Sequence, residues 1–342
     1  MIRIDDHTTV NLDALAVQHY NNLIGAPLVD GVSYHATASL IGRIRRRRTL
    51  DAAIPNQTRV NFWDYLLDNN FANLKRVIIS RPNVLKVIIA EIETICGAGF
   101  FSNDIDYNRA VLNDFGIIVK TVFNYKSYRN SSECMDNCNQ FNLLYCPYCN
   151  SIETQVITST NGLTGIAEQQ ALLQLDHFYP QSRHPYFAVS FFNLIPGCSP
   201  CNAQLKNEKR FDIDTHFNPF HKRLDDYFIF ELSSLIINDE SEIDIRYSNK
   251  QPYSADALND FEIMSRYNNG SKRVIFKMHK AFKNRSPKLR NALGQIVGLF
   301  PNDKSKTLIL LDNYGVPINR TDINSVYLGK LKRDIAIQLG IL

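Results

Sequence analysis

The stretch Cys146-Pro-Tyr-Cys149-Asn150, answered further on by Cys198-Ser-Pro-Cys201-Asn202, decides how this chain is read. A Cys-x-x-Cys turn aims two thiolates at one point, and two such turns complete a tetrahedral sulfur shell, the closed coordination that structural zinc prefers. Binding of this kind supplies roughly 10–16 kcal/mol of apparent folding energy in small zinc peptides. Cys146, Cys149, Cys198 and Cys201 are therefore expected to hold a structural Zn2+ ion. Two unrelated reduced pairs, or a redox dithiol, is the plainer alternative. Cys134 and Cys138 offer a rival set with Cys146 and Cys149, but Cys134-x-x-x-Cys138 is a looser pair and leaves Cys198 and Cys201 unexplained. Cys96 lies in an apolar, helix-like run and reads as a core residue.

Working outward, the chain has 342 residues, 44% hydrophobic and 21% charged. That is the composition of an ordinary soluble globular protein, large enough for two or three units and a sizeable core without disulfides. The most apolar run, Val84 to Phe101, is interrupted by Lys86, Glu91 and Glu93, so it reads as a buried helix, not a membrane span. The first residues lack the apolar stretch of a secretory signal, which places the protein in the cytoplasm, where paired cysteines favour metal over disulfide. Residues 1–140 look mainly helical, with Asn11 capping a helix that runs through Leu12 and Leu15, further helices over Asn61–Phe71 and Val84–Ile95, and a polar connector leading to Gln140. Residues 141–222 form a short, irregular, proline-punctuated unit with weak periodicity, as suits a module held by metal. Residues 223–342 look mixed, with strands at Tyr227–Leu235, Ile243–Tyr247 and Lys306–Leu311, and helices at Ser254–Tyr267, Ser271–Lys283 and from about Asn324.

Between the two cysteine pairs lies Leu175-Asp176-His177-Phe178-Tyr179-Pro180, followed by Phe192-Asn193-Leu194-Ile195-Pro196. Phosphodiester hydrolysis needs an activated water, a stabiliser for the added negative charge and help for the leaving oxygen. A neutral imidazole can take a proton from water at physiological pH. A divalent ion bound through oxygen ligands acts as Lewis acid on the phosphoryl oxygen. Each residue also has a bland role: Asp176 as a turn cap, His177 as a partly buried polar group, Asn193 as a turn former. Neighbours on an ideal strand point to opposite faces, so Asp176 and His177 serve one site only from a kinked strand or a bulge.

Taken in this order, these motifs resemble the HNH nuclease superfamily over about seventy residues, from Cys146 to roughly Phe220. The Asp-His-Phe-x-Pro-x-Ser, Asn-Leu-Ile-Pro and Cys-x-x-Cys-Asn phrasing is also similar to the HNH components of bacterial anti-phage systems such as Septu. The resemblance implies an α+β fold: a ββα-metal, treble-clef zinc module embedded between a mainly helical N-terminal region and a mixed α/β C-terminal region. It implies His177 as general base, Asn193 as the residue that holds the histidine in orientation, and Asp176 and Asn202 as ligands of a catalytic divalent ion. Asn202 stands where many relatives carry His, and its amide oxygen favours Mg2+ or Mn2+ over softer ions. The implied activity is endonucleolytic cleavage of DNA, with RNA not excluded. The Septu-like likeness implies an ATPase partner and a role in phage defence. A non-catalytic zinc module that binds nucleic acid or protein is the alternative.

Charge adds a hint about the flanks. Residues 141–222 carry five Lys or Arg against six Asp or Glu, so the central module alone is a poor polyanion binder. Arg43, Arg45, Arg46, Arg47 and Arg48 form one basic cluster, and residues 271–290 carry eight basic side chains and no acid. One of these blocks is expected to clamp nucleic acid, with Arg273, Lys277 and Lys280 as substrate contacts beside Lys206, which follows Asn202. A solvated helix face is the bland reading of either block. Ser182, Arg183 and His184 fall in the loop between base and Asn193, where substrate passes, with His184 expected to face solvent. His216 and His221 are weaker candidates for metal or substrate contact.

Overall fold

Local capping sets out the N-terminal helices. Asn11 accepts from the backbone N–H of Asp13 and Ala14 and starts α1 (Leu12–Ile24). Ser39 caps α2 (Leu40–Ala52), Asn56 caps α3 (Gln57–Ile79), and Pro82 opens α4 (Pro82–Cys96) at a position where its missing N–H costs nothing. The structure, a computed structural model, describes residues 2–160, 165, 167–283, 315–340 and 342. The expected strand Lys306–Leu311 and the basic residues Arg285, Lys288 and Arg290 lie outside the described residues.

A two-stranded hairpin of β1 (Ser102–Asp104) and β2 (Ala110–Leu112) follows, then α5 (Asp114–Phe123) and the short α6 (Tyr125–Arg129). The stretch read as a connector to Gln140 is instead α7 (Ser132–Gln140), started by the Ser131 hydroxyl accepting from Cys134 N–H. Its polar composition hid a helix whose buried side holds Cys134, Asn137 and Cys138. The central region contributes β3 (Val156–Thr160) paired with β4 (Ala167–Ala171), and β5 (Gln174–His177) paired antiparallel with β6 (Leu194–Gly197). A wide helical turn over Pro200–Lys206 follows β6, closed by Asn207 N–H donating five residues back to Asn202 C=O. Beyond it, β7 (Phe228–Leu232) pairs with β8 (Ile245–Asn249). The helix expected over Ser254–Tyr267 is two, α8 (Asp256–Asp260) and α9 (Ile263–Gly270), then come α10 (Lys272–Lys283) and α11 (Gly329–Gln338).

The architecture is thus mixed α+β, with helices and small two-stranded antiparallel sheets. Buried apolar side chains from all three expected regions, from Ile2 and Trp63 through Phe178 and Phe192 to Ile335, belong to one cluster. Polar ties cross the same boundaries. Ile2 N–H donates to Pro147 C=O, and Arg183 joins the central region to β1 through Asp104 at 3.0 Å. Tyr107, Lys209 and His216 converge on Asp260. Among the described residues, no helix is long and apolar enough to cross a membrane.

Candidate metal centre and cleft

The two cysteine turns meet. One ligand atom from each of Cys146, Cys149, Cys198 and Cys201 lies within 4.8 Å of the others, and all four residues are buried. The Sγ atoms of Cys149 and Cys198 are 3.9 Å apart. A tetrahedral ion with metal–sulfur bonds of about 2.3 Å has edges of about 3.8 Å, so the cluster is able to hold an ion such as zinc. The surroundings suit thiolates. Cys198 N–H donates to Cys146 Sγ at 3.3 Å, and the Arg266 guanidinium of α9 donates to Cys201 Sγ at 3.2 Å. Burial works against the Arg266 charge, but Cys149 and Cys201 outweigh it and hold the guanidinium above its ordinary pKa. Tyr267 donates to Cys149 C=O at 2.8 Å. Cys134 and Cys138 are not in this cluster, so the rival assignment fails: they sit on α7, with Cys134 beside Arg129.

Asp176 and His177 end β5, paired with Ile195 and Leu194 of β6. Asp176 is buried, one carboxylate oxygen 2.9 Å from Lys206 Nζ and the other accepting from Tyr148 Oη at 2.6 Å. His177 is half-buried, with the ring of Tyr125 packed edge-on at 4.6 Å. Its Nε2 lies 2.9 Å from Ala188 C=O. A carbonyl is only an acceptor, so Nε2 carries the proton and Nδ1 keeps the basic lone pair. The Gln181 side-chain amide nitrogen lies 2.5 Å from Nε2 and 3.4 Å from Nδ1. Burial pushes the His177 pKa down to about 3. The Ala188 carbonyl opposes this, and Lys206 and Lys120 add to it, so the ring is neutral at physiological pH.

Asn193 is fully buried and braces the loop between the strands. Its side-chain oxygen accepts from Tyr179 N–H at 2.8 Å, and its nitrogen donates to the carbonyls of Tyr179 and Phe187. Its own carbonyl accepts from Phe178 N–H at 2.9 Å. It therefore fixes the chain that follows His177, at Phe178, Tyr179 and Phe187. Asn202, half-buried on the wide turn, donates to Gln174 Oε1 at 3.0 Å, which leaves its amide oxygen unused by that bond.

Asp176, His177 and Asn202 line one cavity of about 1120 Å³. The N-terminal region lines it too, through Arg109, Lys120, Tyr125, Lys126 and Arg129. Spread over the approach to β2, α5 and α6, they carry no signature in the sequence, and only the fold gathers them.

Several expected contacts stand elsewhere. Lys206 does not reach outward for phosphate: it is fully buried, with Nζ engaged by Asp176 and by the His177 carbonyl at 2.7 Å. The Arg43–Arg48 cluster is largely used internally. Arg43 binds backbone carbonyls, Arg45 lies over the rings of Tyr34 and Phe71, and Arg47 and Arg48 pair with Asp51 and Asp64. Arg183 is buried in its ties to Asp104 and Asp106 C=O. His184 does not face solvent but packs among Tyr179, Tyr186 and Phe187, and burial drives its pKa down to about 3. His216 is enclosed against Phe211 and Asp260. Arg273, Lys277 and Lys280 do share one exposed face of α10.

No protein-family model, curated protein or solved structure matches this chain. The functional reading therefore rests on the site's own geometry and chemistry.

Proposed function

We propose that this chain is a metal-dependent endonuclease of the HNH type, hydrolysing phosphodiester bonds of DNA, with the four cysteines holding a structural zinc ion. One observation carries the reading: a neutral imidazole, held through Nε2 by Ala188 C=O, stands beside a cavity that Asp176 and Asn202 also line. In that reading His177 Nδ1 accepts a proton from the attacking water, and Gln181 and Ala188 fix the ring plane. An anionic phosphate beside the ring raises its basicity, countering the burial that depresses it. Asn193 keeps the loop from Phe178 to Phe187 in register, so that the Ala188 carbonyl stays in place. Asp176 and Asn202 offer the oxygen donors that a hard divalent cation such as Mg2+ or Mn2+ prefers. Such an ion supplies Lewis-acid stabilisation of the phosphoryl oxygens. Asp176 already faces an ammonium group, so its service as a ligand requires Lys206 to yield.

That same ion pair favours the second reading, a non-catalytic zinc-stabilised module that binds nucleic acid or protein, since Lys206 already balances the Asp176 charge. The likeness of the motif phrasing to anti-phage HNH components supports a defence role with an ATPase partner, and nothing beyond that phrasing bears on it. Supercoiled plasmid and structured RNA, incubated with the protein and Mg2+ or Mn2+, separate the two readings. The nuclease nicks DNA, and His177→Ala lowers the rate by about 10²–10⁴-fold, the usual contribution of a general base. Equal nicking by both proteins removes His177 from the chemistry. Metal-independent binding with no cleavage by the wild type establishes the binding module.

A further inference from the structure

We infer that the N-terminal region is the second jaw of the substrate cleft: Arg109, Lys120 and Lys126 grip the phosphates of a nucleic-acid strand that runs past His177. The inference rests on the nuclease reading and adds to it where, and by which side chains, the polymer is held. The central region is short of positive charge, with five basic against six acidic residues, so phosphate attraction has to come from elsewhere. The N-terminal residues that line the cavity supply it. Arg109 precedes β2, Lys120 lies on α5 and Lys126 on α6, three separate elements that the fold brings to one surface.

All three side chains are exposed, and none has an ion-pair partner among the described residues. That sets them apart from Arg47, Arg48, Arg81 and Arg183, whose charges are matched by carboxylates. Arg129, which also lines the cavity, is braced by a bond to Leu173 C=O at 3.1 Å and serves less freely. Against these cations the cavity presents two acids, Asp176, already paired with Lys206, and Glu208. A wall of unpaired cations around a neutral histidine selects an anion. The volume of about 1120 Å³ exceeds the roughly 300–1,000 Å³ of ordinary small-molecule pockets and suits a segment of polymer. Ser182 lines the cavity, and its buried Oγ has no hydrogen-bond partner among the described residues, which leaves a donor for a phosphate oxygen. Contacts to phosphate fix register without reading sequence, so the cleft is expected to hold strands of any sequence.

The test measures binding of a labelled DNA oligonucleotide across a salt series, without added divalent ion, in His177→Ala protein to exclude cleavage. Each phosphate contact contributes about 0.7 (single strand) to 0.9 (duplex) to the slope of log affinity against log salt. Changing Arg109, Lys120 and Lys126 together to Gln is expected to lower that slope by about two to three and to weaken binding at least tenfold. Lys120→Gln alone should give a proportionate part of the loss, and unchanged zinc content and melting temperature certify the fold. The triple variant Arg273→Gln, Lys277→Gln, Lys280→Gln is the control for the α10 face. An unchanged slope in the cleft variant overturns the inference, as does a loss confined to the α10 variant, while the nuclease reading survives if plasmid nicking persists. A parent protein that neither binds nor cuts DNA or RNA takes both down.

Discussion

Asn193 shows how much one side chain settles. Both ends of its amide are engaged, with Tyr179 N–H, Tyr179 C=O and Phe187 C=O, in a site closed to water. Asn193→Ala leaves those backbone groups buried and unpaired, and each such group costs about 1–3 kcal/mol. The variant is expected to lose about 3 kcal/mol in urea denaturation, allowing for partial relaxation. It should also lose nicking activity while retaining its zinc, because the cysteine turns do not depend on this amide. A loss below the error of the measurement would return Asn193 to an ordinary turn residue. The residue types at this site were legible in the sequence because chemistry restricts them: four thiols, an acid next to a histidine, two asparagines. What each contacts was not legible. Lys206 follows Asn202 closely enough to invite a phosphate role, yet the wide turn over Pro200–Lys206 rotates it inward onto Asp176. Spacing on a regular helix gives no warning of that rotation, since a five-residue hydrogen bond shifts every side chain after it.

At the scale of elements, helices with strong apolar periodicity or a clear cap were readable, and breaks within them were not. The pattern over Asn61–Phe71 marks only the first part of α3. The chain then leaves helical geometry at Asp68 and passes through three consecutive left-handed residues, Asn69, Asn70 and Phe71, before the helix resumes to Ile79. Asparagine tolerates positive φ better than other residues with a side chain, which is why two of them stand there. Phe71 is the strained member, held by the ring of Tyr34 and the guanidinium of Arg45. Asn70 is exposed and has a φ of 53°, so its substitutions read backbone strain with little packing change. Asn70→Val is expected to destabilise the protein by about 1–2 kcal/mol, the cost of a β-branched residue in this region, and Asn70→Gly to be neutral or slightly stabilising. Urea midpoints of the two variants check this, and equal midpoints would mean the turn is not held as described. The same limit explains α7: with few apolar residues, only the Ser131 cap and Glu133 in the first turn announced it.

At the scale of the whole molecule, the thiol cluster ties together regions that the sequence presented as separate. α9 reaches it through Arg266 and Tyr267, and the residue after the first knuckle, Asn150, anchors the start of α11 by accepting from Lys330 N–H at 3.0 Å and, through its carbonyl, from Leu328 N–H at 2.8 Å. Take away the ion and four buried thiols must either protonate or repel, while Arg266 is left with less charge to pair against. Structural zinc contributes roughly 10–16 kcal/mol in small peptides. A domain's total stability is about 5–15 kcal/mol. If the cysteines hold zinc, the module is expected to depend on it for its fold, and α9 and α11 to lose their footing when it is removed. α1–α4 add buried side chains of their own to the shared core, with Trp63, Leu66, Leu85 and Ile88 fully buried and Arg47 paired to Asp51. Stripping the metal with a strong chelator should thus produce a split in hydrogen-exchange mass spectrometry. Amide protection over β5, β6, α9 and α11 is expected to collapse, while that over α3 and α4 persists in large part, and added zinc should restore the first set. Uniform loss along the chain would mean that the helical region has no independent core. Unaltered protection after verified metal removal would mean that the cysteines are packed as neutral thiols and that the cleft needs no zinc to form.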